Sequence, residues 1–146
     1  MSSRKATVID LYLDSNVFLF AALDTGKTGN DAKVLLKKVS DGSVKAAISP
    51  LVLDEVMWGV QKIMGREYSN RYVAGIVSTP FTWLDIAFSC VETARSYYKQ
   101  GLNPRDAFHA AVMTDYGINV IVSEDAHFDK IKDLKRISIK EAFKGI

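Results

Sequence analysis

Apolar residues in this chain follow two alternating rhythms, which together predict strands separated by helices. Short runs rich in β-branched and aromatic residues read as strands at residues 8–13, 44–48, 81–84, 118–122 and 136–139. Longer segments place apolar residues three and four apart. Val34, Leu35 and Val39 mark a helix over 31–39, and Leu51, Val52, Val56, Trp58, Val60 and Ile63 mark one over 50–64. Further helices are predicted over 15–22, 69–77, 86–100 and 104–116. Ser49-Pro50 and Asn103-Pro104 are strong helix starts, a cap residue followed by proline at the first helical position. Asp24 to Asn30 holds two glycines and a lysine but lacks the spacing of a phosphate-binding loop, so it reads as a plain connection. Strands joined through helices of this length imply a parallel sheet with right-handed crossovers.

Composition narrows the class. At 146 residues, 48% hydrophobic and 25% charged, the chain suits a single domain over residues 1–146 with a sizeable core. The one cysteine, Cys90, excludes an intramolecular disulfide framework and fits a reducing compartment. No apolar run reaches the roughly 18 residues of a membrane span, and polar Thr7 and Asp10 interrupt any leader-like stretch. The expectation is a cytoplasmic protein with no membrane partner. A net charge of +2 says little about partners, although Lys33, Lys37, Lys38 and Lys45 form one basic stretch and Lys130 to Lys144 another.

Four acidic stations carry the chemistry. They are Asp14 after the first strand, Glu55 early in the helix behind Pro50, Asp106 behind Pro104, and Asp125 just past the strand at 118–122. In an open α/β sheet the carboxyl ends of the strands and the nearby helix starts collect at one edge, where ligands bind. Carboxylates gathered there repel one another unless a cation sits between them, and Mg²⁺ favours oxygen ligands. Asp54 competes with Glu55 for the pocket. Helical neighbours differ by about 100°, so only one of them faces it. Small residues at Ala107, Ala110 and Ala111 pack the Asp106 helix tightly, where an unpaired acid is costly.

These pieces resemble the PIN-domain family, most closely VapC-type toxins of toxin–antitoxin pairs. The matching segments are Tyr12-Leu-Asp14-Ser-Asn16, Ser49-Pro-Leu-Val-Leu-Asp-Glu55-Val56, Leu102-Asn-Pro-Arg-Asp106-Ala-Phe-His-Ala-Ala111 and Ile121-Val-Ser-Glu-Asp125-Ala-His-Phe-Asp129. The resemblance implies a three-layer α/β/α fold around a parallel sheet and a Mg²⁺- or Mn²⁺-dependent endoribonuclease. It implies Asp14, Glu55, Asp106 and Asp125 as the catalytic quartet, with Asp14, Asp106 and Asp125 holding metal and Asp129 sometimes joining. Ser15 and Ser123 stand where relatives often carry a hydroxyl lining the site, and Arg105 is placed to hold a phosphate of the RNA. A homodimer and an antitoxin partner are further expectations, with Trp58, Met64, Tyr68 and Tyr72 as candidate docking residues. Glu124 departs from the family pattern, which leaves open which acid of the Glu124-Asp125 pair points inward. His127 is expected at the surface, and His109 is expected to be buried or edge-packed rather than catalytic. The alternatives are a non-catalytic PIN-like binding module and a PIN nuclease of RNA maturation. An aspartyl phosphatase of the haloacid-dehalogenase type needs a second Asp where Asn16 stands, and a receiver domain needs an acidic pair and a late lysine that are not evident.

Overall fold

The computed structural model describes residues 11–145. Five strands form one parallel sheet: β1 (Leu11–Leu13), β2 (Ala46–Ile48), β3 (Thr82–Trp83), β4 (Val120–Val122) and β5 (Lys135–Ile137), in the order β3-β2-β1-β4-β5. The central strands are short and apolar because helices cover both faces of the sheet, so every position of β1 and β2 is buried. Residues 8–10 of the first expected strand lie outside the described residues.

The chain winds outward from β1 to β2 and β3, then returns to the other side of β1 as β4 and β5. The reversal puts a topological switch point between β1 and β4, and the crevice beyond their carboxyl ends is where such sheets bind ligands. Tyr12 pairs with Ala47 on one side and with Ile121 on the other. In that register Asp14, Ser49 and Ser123 emerge side by side, each one residue past its strand.

Seven α-helices complete the three layers among the described residues: α1 (Ser15–Leu23), α2 (Lys27–Ser40), α3 (Pro50–Met64), α4 (Arg66–Val77), α5 (Cys90–Lys99), α6 (Pro104–Asp115) and α7 (Ile139–Gly145). Helices α1, α2, α3, α4 and α7 form one group linked by contact, and α5 packs with α6 in another. The core runs through the sheet, with Tyr12, Phe18, Leu13, Leu35, Ile48, Met113, Ile121 and Phe128 fully buried. No helix among the described residues is long and apolar enough to cross a membrane.

Several sequence expectations shift. Helix α2 begins at Lys27, so four of the seven residues of the expected connection at 24–30 are helical. Gly29 permits this, since a Cβ there would lie 2.0 Å from the Asp24 carbonyl oxygen. Val34 is exposed while Leu35 and Val39 are buried, and α5 starts at Cys90 rather than near Ile86. Trp58 and Ile63 of α3 are exposed rather than core. The final strand ends at Ile137 because Ser138 and Glu141 cap a further helix: Ser138 N donates to Glu141 Oε1 at 2.8 Å and Glu141 N donates to Ser138 Oγ at 3.0 Å.

Candidate active site

Asp14 leaves β1 with extended φ and ψ and caps α1 with its own carboxylate, which accepts from Ser15 N at 2.7 Å. Its second oxygen accepts from Ser123 Oγ at 2.6 Å. Asn16 Nδ2 reaches both Asp14 Oδ2 (3.3 Å) and Ser123 Oγ (3.1 Å), tying β1 to the end of β4. Asp14 is only 5% exposed. Burial pushes its carboxyl above the ordinary range, and the nearby Glu55 charge adds to the shift. The His109 imidazole and the Ser123 hydroxyl pull the other way.

Helix α3 brings in Glu55 from its second turn. Glu55 faces inward with its side chain 15% exposed, whereas Asp54 is exposed, so helical geometry settles that pair. Glu55 Oε1 lies 2.5 Å from His109 Nε2, and Oε2 lies 3.6 Å from Arg105 Nε. The Arg105 side chain itself is 57% exposed, at the mouth of the site.

Helix α6 delivers Asp106 in its first turn and His109 one turn later on the same face. The Asp106 carboxyl is pushed up to about 6, first by partial burial, then by the charge of Asp125 and that of Asp14. Asp125 follows β4 by a two-residue turn. Its backbone N–H donates to Ser123 Oγ at 3.0 Å, and its Oδ1 accepts from His127 N at 2.9 Å. His127 Nδ1 stands 2.7 Å from the same oxygen on a half-exposed ring. The exposed rim position agrees with the surface placement expected for His127.

Two sets of donor atoms result. Asp14, Glu55 and His109 form one, and Asp106, Asp125 and His127 form the other, with the atoms of each set within 4.8 Å of one another. The four expected acids converge from four segments far apart in the sequence.

Other acids turn away. Asp129 is held by Arg136 through two bonds of 2.9 and 3.0 Å, outside the cluster. That pairing with the guanidinium holds its carboxyl below the usual range. Glu124 accepts from Ile139 N at 2.7 Å at the start of α7, leaving Asp125 as the inward acid of the pair. Two expected side-chain caps are absent. Ser49 and Asn103 precede their helices without capping bonds from their side chains, because proline at the first helical position already fixes the start. The buried Ser49 hydroxyl bonds Tyr12 Oη instead, at 2.8 Å.

Sequence reading missed three participants. Tyr12 and Ser49 carry hydroxyls next to the stations at Asp14 and Glu55, and Asn16 stands two residues past Asp14. Their signal was polar atoms within or just past buried strands, positions that demand a partner. His109 is buried as expected but touches Glu55, so it lies inside the site rather than beside it.

The PIN domain description matches residues 11–134 of the chain. Ribonuclease VapC13 of Mycobacterium tuberculosis is 28% identical over 130 residues, covering 88% of this chain and 99% of that protein. Among solved structures, VapBC2 from Rickettsia felis, bound to a DNA fragment from its promoter, superposes with a TM-score of 0.68 at 19% identity, covering 89% of this chain and 98% of that one. The sarcin-ricin loop cleaving toxin VapC20 of Mycobacterium tuberculosis gives a TM-score of 0.67 at 17% identity, covering 82% and 92%.

Proposed function

The chain belongs to the PIN-domain family, and on that premise we propose that it is a Mg²⁺- or Mn²⁺-dependent endoribonuclease, the toxin of a VapBC-type toxin–antitoxin pair. The observation that carries the reading is the convergence of Asp14, Glu55, Asp106 and Asp125 at the switch point of the sheet. Burial and the neighbouring acids there hold the Asp106 carboxyl at about 6. Such a cluster is unfavourable by itself and becomes favourable around a cation.

The donor set fits a hard divalent ion, since the four acids offer only oxygen ligands. Asp14, Asp106 and Asp125 would hold it. When bound, the ion supplies charge neutralisation at the scissile phosphate and a more acidic water. The chain's own residues do the rest. Ser123 and Ser15 N fix the Asp14 carboxylate in one orientation. Glu55, near the mouth yet held by His109, is placed to accept a proton from the attacking water. Arg105 is exposed beside it and would grip a phosphate of the RNA backbone. The Ser123 hydroxyl already donates to Asp14, so its contribution to substrate is through that carboxylate. Ser15 lies at the same strand end and would line the substrate path.

Partners follow from the same reading. Met57, Trp58, Ile63 and Met64 are exposed on α3, which suits an antitoxin segment. Tyr68 and Tyr72 pack partly against the core and would form the floor of that surface. A homodimer acting in the cytoplasm completes the proposal. The experiment is cleavage of defined single-stranded and hairpin RNAs by the purified protein with Mg²⁺, Mn²⁺ or EDTA, alongside expression with and without a candidate antitoxin. Metal-dependent cutting together with growth arrest relieved by the antitoxin is the expected result. Cutting without growth arrest would point to an RNA-processing nuclease. No cutting with any metal would point to a silent module.

A further inference from the structure

His109 has no place among the four acids, yet it is wholly buried with both ring nitrogens engaged. Nε2 is 2.5 Å from Glu55 Oε1, and Nδ1 is 2.7 Å from Tyr12 Oη. Tyr12 Oη in turn is 2.8 Å from Ser49 Oγ. Tyr12 and Ser49 are also fully buried, so the chain of bonds has no solvent partner.

The Glu55 carboxylate fixes the direction of the first bond, and for a neutral ring the other two follow. A carboxylate only accepts, so Nε2 carries the proton that goes to Glu55. In the neutral ring Nδ1 then accepts, which makes Tyr12 the donor to Nδ1 and Ser49 the donor to Tyr12.

The same geometry decides between two roles for the imidazole. Asp14, Glu55 and His109 lie close enough to share a cation, and His109 Nε2 is 3.8 Å from Asp14 Oδ1. A ring nitrogen that donates its proton to Glu55 has no lone pair for a metal, and Nδ1 is already occupied by Tyr12. Glu55, by contrast, is a long side chain with several rotatable bonds reaching in from the second turn of α3. Holding one of its oxygens leaves the other aimed toward Arg105 and the mouth of the site.

We infer that His109 is a positioning residue, which as the Nε2–H tautomer, with Tyr12 and Ser49 bonded behind it, locks Glu55 in its working orientation and does not ligate metal. This rests on the nuclease reading for its consequence in turnover, but its structural content is independent of it.

The test joins a spectroscopic signature to a variant series. In the ¹⁵N-labelled protein, long-range ring spectra with Mg²⁺ added or removed report the His109 tautomer. His127→Gln separates its signals from those of the only other histidine. The expected result is an Nε2–H ring in both states. An Nδ1–H ring, or loss of the Nε2 proton when Mg²⁺ binds, overturns the inference. Tyr12→Phe keeps the aromatic packing and removes only the hydroxyl. It should shift the Nδ1 resonance, which loses its partner, keep the proton on Nε2, and lower kcat with little change in KM for RNA. An unchanged spectrum and kcat in that variant also overturn it.

In the third arm, His109→Gln restores an N–H near the Nε2 position and His109→Asn does not. The Asn variant should lose about tenfold to a hundredfold in kcat, and the Gln variant should recover most of it at matched thermal stability. Equal losses in both would contradict positioning by that donor. If the wild type cuts no RNA, the nuclease reading fails while the ring spectra still decide the tautomer and the metal question.

Discussion

At the scale of single residues, Asp106 shows most directly how the site is stressed. Its carboxyl titrates at about 6, raised by burial and by the charges of Asp125 and Asp14. The folded protein therefore binds that proton more tightly than the unfolded chain, whose Asp titrates near ~4. The sign follows from linkage: stability contributed here rises as pH falls from about 6 toward about 4, and above that window the ionised group opposes folding. Asp14 shifts in the same direction. In chelator at pH 7.5, Asp106→Asn should match or exceed the wild type in urea midpoint, and its advantage should shrink on going to pH 5. A variant less stable by the same margin at every pH would contradict the crowding. The four acids were legible in the sequence because each stands at an element end beside a turn or a helix-starting proline. The residues that organise them were not, because Tyr12, Ser49, Asn16 and His109 read as ordinary strand, cap and helix positions. Only the pairing of β1 with β2 and β4 brings their polar atoms together.

At the scale of elements, periodicity found the helices and strands, while the boundaries moved where local bonding overruled it. The C-terminal segment illustrates this. Arg136, Ile137, Ser138 and Ile139 alternate like a strand, but the reciprocal bonds of Ser138 and Glu141 end the strand and start α7. The Ser-x-x-Glu signature was present in the sequence and outweighs the short alternation. Glu124 reinforces the start of α7 by accepting from Ile139 N. Ser138→Ala should therefore cost about 1 kcal/mol of unfolding free energy while leaving Mg²⁺ affinity unchanged, by urea unfolding and calorimetry. An equal loss of metal affinity would mean that α7 supports the site more closely than its bonds indicate. The start of α2 was hidden for a different reason. The glycine that permits the helix to pass against the Asp24 carbonyl is also the residue that reads as a loop.

At the scale of the whole molecule, the strand order β3-β2-β1-β4-β5 turns four distant segments into one site. Asp14 and Asp125 come from adjacent strands at the switch point, and Glu55 and Asp106 lean in from helices α3 and α6. The parallel sheet and its helical layers were foreseeable from alternating rhythms of strand and helix. The order of strands was not legible, because pairing is not encoded in any single segment; that the acids meet was expected from the shared edge of such a sheet and from the family resemblance. The central claim is that these carboxylates form one metal-dependent nuclease centre. It is tested most directly by single-turnover RNA cleavage with Mg²⁺ or Mn²⁺, comparing the wild type with Asp14→Asn and Asp106→Asn, each first shown to be folded by thermal melting. Cleavage that requires metal and falls by about a hundredfold or more in both folded variants, a loss on the order of 3 kcal/mol in barrier, is the predicted result. Cleavage that persists in either folded variant, or that survives EDTA, would contradict the account.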